Sequence, residues 1–281
     1  HEVILGHYSK RSFVPIVISS VIGTIFSRTV FGDAAAFSIP DYQITSFLEF
    51  PAFVLLGLTC AIVAVVFQFC LIGTDYLARS ITMPLWLRPT LGGLLVGTIA
   101  VGFPEVLSVG YEATDKALKN EFSLILLMAL IVAKTAATSI TLASRFGGGI
   151  VSPSLFIGAM TGGAFGLIAT GFFPDLSSSE GLYSILGMGA VAAAVIGAPL
   201  STAVMVFELT GGYALSIALL LTVSIAAGIN QAVHGRSFFQ SQLEQRGLYV
   251  QDGPHRYLVR STQVVRFMTP FTPEEDPELP T

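Results

Sequence analysis

The stretch Gly147-Gly-Gly-Ile-Val-Ser-Pro-Ser-Leu-Phe-Ile-Gly-Ala-Met-Thr-Gly-Gly-Ala-Phe-Gly166 decides the fold of this chain. Three glycines at its head allow a tight turn, and Pro153 suits the first turn of a helix, where no backbone N–H is needed. Gly158, Gly162 and Gly166 then recur every four residues, which predicts a flat helix face that packs closely against a second helix. The pattern therefore predicts a glycine turn that leads into the N-terminus of an apolar helix.

The composition around this stretch is that of a membrane protein. Of 281 residues, 53% are hydrophobic and only 11% are charged, with a mean hydropathy of +0.75, whereas a soluble domain carries about 25% charged residues. The net charge is −4 and no basic stripe is present, which argues against nucleic acid as a partner. The sequence contains no HExxH, GxSxG or P-loop motif, so we expect neither an enzyme nor a bound cofactor.

Long runs with few charges predict the membrane helices, because a span needs about 20 predominantly apolar residues. Residues 50–74, for example, carry no charge. The runs are residues 12–27, 50–74, 89–104, 121–144, 146–174, 181–207 and 209–235. We therefore expect an all-α, multi-pass integral membrane protein that is embedded in the lipid bilayer.

Glycine and proline interrupt two of these runs, at residues 147–149 with Pro153 and at Gly197 with Pro199. Irregular backbone at membrane depth survives only where it is buried in protein or lines a water-filled cavity. Broken helices of this kind are typical of transporters, in which half-helix ends bind ions. Ordinary loops between short spans would produce the same pattern, so the sequence leaves both interpretations open.

A helix N-terminus inside the membrane would attract an anion. Its first N–H groups lack intrahelical partners, and the macrodipole places roughly half a positive charge there. Such partial charges let an ion bind and also leave, which conduction requires. The alternative is a tight packing turn that binds no ligand.

Two motifs resemble signatures of the CLC chloride channel and transporter family. Gly148-Gly-Ile-Val-Ser-Pro-Ser-Leu-Phe-Ile-Gly-Ala159 is similar to the family motif Gly-x-Phe-x-Pro and its continuation, and Gly197-Ala-Pro-Leu-Ser-Thr-Ala-Val-Met-Val-Phe-Glu-Leu-Thr-Gly-Gly-Tyr213 is similar to a second signature. Lys134-Thr fits the helix that precedes the glycine turn. The resemblance implies a CLC-type inverted-repeat bundle with broken and re-entrant helices over residues 1–247. It also implies a two-fold homodimer in which each subunit has its own anion pathway.

The resemblance implies the site residues as well. The backbone N–H groups of Ile150 and Val151, which follow Gly149, would hold the central anion. Val151 stands where the family usually has Phe, and its smaller side chain could widen the pathway. Phe239 aligns with the family's pore-lining tyrosine and lacks the hydroxyl, which implies weaker anion binding and looser coupling to protons. Asp33 is the candidate proton relay, the alternative being a helix cap or a water-facing carboxylate.

The function implied by the resemblance is transport of chloride or a similar small anion. A voltage-gated-type channel and a proton-coupled antiporter both fit, and the sequence leaves them open. The alternative is a membrane scaffold or sensor that signals through a cytoplasmic CBS region without transporting anything.

The two ends of the chain carry further expectations. The sequence begins at His1 rather than Met, and residues 1–8 read as the tail of a helix. We therefore expect an N-terminal part to be missing, together with the family's serine and gating-glutamate motifs. Residues 248–281 are expected to form a cytoplasmic linker leading towards a CBS domain. The cytoplasmic location rests on a cluster of basic residues, Arg236, Arg246, Arg256, Arg260 and Arg266.

Overall fold

The computed structural model describes residues 10–32, 37, 49–81, 83–84, 86–172, 179–210, 215–235 and 237–245. Asp33, residues 1–8 and the linker 248–281 lie outside this part of the chain. The expectations stated for them stay predictions.

The described part consists of helices, turns and short irregular connections and contains no strand, which confirms the all-α prediction for those residues. One short 3₁₀ helix, Pro104–Val106, joins two of the helices. The α-helices are α1 (Lys10–Phe31), α2 (Phe50–Ser80), α3 (Leu87–Gly102), α4 (Tyr111–Leu118), α5 (Leu124–Ala143), α6 (Val151–Phe172), α7 (Glu180–Ile196), α8 (Pro199–Thr210), α9 (Ser216–His234) and α10 (Phe238–Gln245).

Five segments are long and apolar enough to cross a membrane, judged on the described residues by length and composition. They are Val14–Phe31, Phe50–Ser80, Leu124–Ala143, Val151–Phe172 and Ser216–Leu243. Three further helices, α3, α7 and α8, are apolar but shorter. This mixture of full spans and shorter helices agrees with the multi-pass prediction.

Charged residues and helix-breaking residues set most helix ends, but α2 continues past its predicted end. The apolar run stops at Thr74, whereas the helix reaches Ser80. Asp75 and Arg79 lie one turn apart and form an ion pair of 2.6 Å, so the charged turn is compatible with a helix. The predicted break after α7 is confirmed: Gly197 has φ of 75°, and Pro199 occupies the first position of α8.

The glycine stripe predicted on α6 packs against α7. A Cβ added at Gly158 would lie 2.8 Å from the Cα of Met188, and one added at Gly162 would lie 2.7 Å from the carbonyl carbon of Tyr183. The two helices therefore touch through their backbones, as small residues allow in membrane bundles. The sequence prediction of a flat packing face is confirmed.

α7 is the central helix, with every residue from Gly181 to Ile196 buried. A helix that is apolar on all sides is expected in the interior of a bundle. α2 and α9 flank it and contact each other, since a Cβ at Gly57 would lie 3.0 Å from the side chain of Ile225. Two buried amides, Gln68 on α2 and Asn230 on α9, donate to the carbonyl of Ala194 at 3.3 and 2.6 Å.

Candidate anion site

The first turn of α6 leaves backbone donors without acceptors. Ser154 N–H donates to the carbonyl of Ile150 at 3.0 Å, so Ile150 is the cap residue and Val151 is the first residue of the helix. Pro153 has no N–H to donate. Within the described residues, the N–H groups of Ile150, Val151 and Ser152 have no protein acceptor. This end of α6 therefore carries the partial positive charge expected of an unsatisfied helix N-terminus.

The second turn of α6 lies level with the middle of α5. Phe156 contacts Lys134, which is the eleventh of the twenty residues of α5, and Gly163 lies against Leu127, so the two helices run antiparallel. Val151 lies five residues before Phe156, which places the start of α6 about 6 Å from the C-terminal end of α5. The N-terminus of α6 therefore lies beside the last turns of α5.

A cavity of about 440 Å³ borders the glycine turn. Its walls include the three glycines 147–149, Ser152 and Pro153 of α6, and Lys134 and Thr138 of α5. A Cβ added at any of the three glycines would meet no atom within 4 Å. The turn therefore faces open space, and side chains there would project into it rather than collide with the protein.

Lys134 is a buried cation with its hydrogen bonds directed at the backbone. Its side chain is 3% exposed, and Nζ donates to the carbonyls of Val106 at 2.8 Å and Ser108 at 3.0 Å. The ammonium also lies 4.8 Å from the ring centroid of Phe156, a favourable cation–π contact. A buried charge is tolerated because these groups replace its water.

The segment 107–109 separates the cavity at the glycine turn from a second cavity of about 500 Å³. These three residues line both cavities, so one strip of backbone forms the wall between them; we call it the partition segment. Lys134 binds it through Ser108, and Ser152 Oγ donates to the carbonyl of Val109 at 3.1 Å. Two side chains beside the glycine turn therefore hold the wall in place.

Gly110 directly follows the partition segment and has φ of 82°, a backbone conformation that favours glycine. A Cβ at this position would also lie 2.6 Å from Cδ2 of Phe156. The close approach lets the segment lie against α6. Substitution at Gly110 is therefore expected to push the wall away from the helix.

The second cavity has charged residues on its rim. Lys116 Nζ donates to Oε1 of Glu112 at 2.8 Å, one helical turn away on α4. The hydrogen bond from Lys116 and its positive charge lower the pKa of Glu112. In turn, the hydrogen bond to Glu112 and its negative charge raise the pKa of Lys116. Both groups are ionised at neutral pH, so the rim carries a neutralised pair.

Phe239 lies in the first turn of α10, which packs against the end of α7. Ser237 caps α10: its Oγ accepts from Gln240 N–H at 3.3 Å, and its own N–H donates to Gln240 Oε1 at 3.0 Å, a reciprocal capping box. A Cβ at Gly197 would lie 2.5 Å from the Cβ of Ser237. The Phe239 ring is half-buried and meets the ring of Phe238 edge-on at 5.9 Å.

The starts of α6 and α10 lie at a similar level of the bundle. Gly158 of α6 faces Gly187 of the antiparallel α7. Val151 lies seven residues from that pair along α6, and Gly197 lies ten residues from it along α7, which corresponds to about 10 and 15 Å in the same direction. Gly197 contacts Ser237, the cap of α10. The helix that carries Phe239 therefore begins within about 5 Å of the level of Gly149, Ile150 and Val151.

The partition segment and its contacts were not predicted from the sequence. The signal for them is Lys134, the single charge in the apolar stretch 122–144. Its ammonium requires acceptors, but the sequence does not say which carbonyls supply them.

Comparison with known proteins places these features in a family. The profile described as "Voltage gated chloride channel" matches residues 1–231. "Chloride channel protein CLC-e" of Arabidopsis thaliana is 34% identical over 232 residues, which cover 76% of this chain and 33% of the relative. "H(+)/Cl(-) exchange transporter ClcA" of Vibrio vulnificus is 30% identical over 243 residues, which cover 85% and 52%. The chain therefore spans between a third and about half of the length of these relatives.

A solved structure shows the same fold. The chain superposes on a slow cyanobacterial Cl⁻/H⁺ antiporter with a TM-score of 0.71 and 24% identity, over 80% of this chain and 53% of the antiporter. The likeness found in the two sequence motifs is confirmed, and the chain belongs to the voltage gated chloride channel (CLC) family.

Proposed function

We propose that the protein of which this chain is part transports chloride or a similar small anion across a membrane. The observation that carries the proposal is the start of α6, where unpartnered N–H groups border the cavity at the glycine turn. The names of the relatives agree with it, since they are described as a chloride channel and as a proton/chloride exchanger.

In this proposal the anion is bound by the N–H groups of Ile150 and Val151, beside Gly149. Lys134, in the wall of the same cavity, adds a full positive charge without becoming a ligand, because two carbonyls and a ring already surround its ammonium. The cavity of about 440 Å³ corresponds to a sphere roughly 9 Å across. Across that distance, at an effective dielectric constant of about 20, the attraction is on the order of 2 kcal/mol. The anion is thus attracted by Lys134 but held only by dipoles, which permits release.

Two side chains are proposed to tune the pathway. Val151 is smaller than the phenylalanine usual in the family motif, so the pathway beside it would be wider. Phe239 supplies a ring without a hydroxyl, so one donor to the anion would be absent and binding correspondingly weaker. Weaker binding favours fast passage and loose coupling to protons.

The mode of transport is proposed as a channel or as a proton-coupled antiporter. Coupled exchange would need a relay for protons, and Asp33 is the candidate carboxylate, outside the described residues. Simultaneous measurement of chloride and proton flux separates the two modes.

A two-fold homodimer in the bilayer is part of the same proposal. α1 is apolar, and none of its membrane-length window is buried within the described part of the chain. Leu200 and Val204 of α8 are 63% and 62% exposed, and Ile217 of α9 is 68% exposed. These faces suit contact with a second copy and with lipid.

The end of the bundle nearest α10 is proposed to face the cytoplasm, with the C-terminal tail and its linker towards a CBS domain. Three arginines support this orientation, because basic residues concentrate at the cytoplasmic side. They lie at the end of α2, the start of α3 and the end of α5: Arg79, Arg88 and Arg145.

The test is anion efflux from liposomes that contain the full-length protein, with chloride, nitrate and fluoride in turn. Gly149→Val places a branched side chain in open space, so we expect flux to fall while the melting temperature is preserved. Gly171→Val is the matched control, since Gly171 lies far along α6 and is equally unobstructed. If none of the three anions moves under any gradient, the transport proposal fails and a scaffold or sensor role takes its place. Wild-type flux in Gly149→Val would instead refute the site.

A further inference from the structure

A groove of about 290 Å³ runs between α2, α3 and α5 on the outside of the bundle. Its walls are mostly aliphatic or small side chains, including Leu77 and Ala78 of α2, Leu91 and Leu95 of α3, and Ile140 of α5. Part of this surface continues outward, since Leu77 and Leu95 are 63% and 54% exposed. The groove is therefore largely apolar and open to the outside of the bundle.

The groove is a fixed feature of the helix packing. At Gly92 the backbone of α3 approaches α5 so closely that an added Cβ would overlap the side chain of Ser144. This contact forms the floor of the groove, so the two helices cannot close further to fill it. An occupant from outside is needed to cover its apolar walls.

Arg88 is the charged residue among the groove-lining residues that the structure describes. Its Nη2 donates to the carbonyl of Ile81 at 3.2 Å, while its Nε is buried and has no hydrogen-bond partner in the described part of the chain. Buried polar groups are almost always satisfied, and a guanidinium has donors in a fork that suits an anionic oxygen. The end of the groove at Arg88 therefore fits a negatively charged group.

The aromatic residues around Arg88 place it near the boundary between lipid and water. Trp86 is 74% exposed and Tyr76 is 77% exposed, and exposed Trp and Tyr gather at the headgroup level of membranes. Arg79, in the same region, is already paired with Asp75 at 2.6 Å. Arg88 is thus a groove-lining arginine at the depth where lipid phosphates lie, and the terminal N–H groups of its guanidinium that Ile81 does not use are the donors offered to a phosphate.

We propose that this groove binds a phospholipid, with one acyl chain along the aliphatic walls and the headgroup phosphate on Arg88. An anionic headgroup such as that of phosphatidylglycerol is preferred, because a choline or ethanolamine cation would sit beside the guanidinium. A free phosphate would satisfy Arg88 but would leave the apolar walls uncovered. The inference concerns lipid binding and does not depend on the proposed transport function.

The experiment is native mass spectrometry of the full-length protein in detergent, titrated with phosphatidylglycerol, with phosphatidylcholine and with inorganic phosphate. We expect one tightly held phosphatidylglycerol per chain, and about tenfold weaker retention in Arg88→Gln, since a charge-assisted hydrogen bond is lost. Arg79→Gln is the matched control. Arg79 lies at the same end of the bundle but is paired with Asp75, so this variant should retain the lipid. Ala78→Phe keeps all charges and narrows the groove, so it should also lose the lipid.

Thermal melting in each variant checks that the protein is folded when the lipid is counted. The proposal is overturned if phosphatidylglycerol and phosphatidylcholine are retained equally, both by the wild type and by Arg88→Gln. It is also overturned if inorganic phosphate binds as tightly as phosphatidylglycerol, because the site would then recognise an anion rather than a lipid. Retention of phosphatidylglycerol by folded Ala78→Phe would show that the acyl chain lies elsewhere.

Discussion

Replacing Gly162 by alanine tests whether backbone contact between α6 and α7 positions the proposed anion site. The added Cβ would lie 2.7 Å from the carbonyl carbon of Tyr183 and 2.8 Å from the Cα of Ser184, whereas ordinary contact begins at 3.4 Å. The nearest atom is the carbonyl oxygen of Tyr183, which the Cβ would overlap, so the helices must separate by more than about 0.7 Å, and the obstruction is backbone that cannot rotate away. Overpacking of this kind costs about 1–3 kcal/mol, against a gain of up to about 1 kcal/mol from helix propensity.

We expect the free energy of unfolding to fall by about 1–2 kcal/mol in Gly162→Ala, from the balance of those two effects. Because α6 carries the proposed anion site at its start, displacement of the helix should also lower chloride flux. The apparent melting temperature in detergent, at one fixed scan rate, and liposome efflux measure the two effects.

Gly171→Ala is the matched control on the same helix, since a Cβ there meets no atom within 4 Å. It should melt at or slightly above the wild-type temperature and transport normally. If Gly162→Ala behaves in the same way as Gly171→Ala, backbone contact does not fix the position of α6 and the reasoning is refuted.

Three further changes test the surroundings of the site. Lys134→Met should weaken chloride binding roughly tenfold or more, because an attraction on the order of 2 kcal/mol is lost. Lys134→Arg keeps the charge and should bind chloride nearly as well as the wild type. Equal chloride affinities of all three proteins, measured by calorimetry, would contradict the attraction assigned to Lys134. Phe239→Tyr should tighten binding about two- to tenfold by adding one donor, and an unchanged affinity would mean that the ring does not face the anion. Glu112→Gln should lower the melting temperature slightly at pH 7. Lys116 lowers the pKa of Glu112 in the folded protein, so the ionised carboxylate stabilises the fold at any pH above the ordinary carboxyl pKa. The difference between variant and wild type should vanish as pH falls through the lowered pKa, and a difference that grew on acidification would contradict this prediction.

The membrane helices and their breaks could be predicted because each follows from local composition. Runs with few charges predicted the spans, and residues 147–149 and Gly197 predicted the interruptions that the structure has. The four-residue spacing of Gly158, Gly162 and Gly166 also determined which face of α6 packs closely. Such features depend on the order of residues within one segment.

The contacts around the glycine turn could not be predicted because they join segments distant in the sequence. Lys134 bonds to carbonyls 28 and 26 residues earlier in the chain, and any carbonyl would have met its need for an acceptor. The end of α2 was missed for a local reason, since charged residues were taken to end the helix. Asp75 and Arg79 instead pair along it.

The backbone contact between α6 and α7 has a consequence for how this protein can change over evolution. Because no side chain of α6 separates the two helices at Gly158 and Gly162, the contact that sets the position of α6 involves neither Val151 nor Phe239. In the proposed function these two side chains face the anion. Substitutions there would then change anion preference or transport rate and leave the contact between α6 and α7 in place.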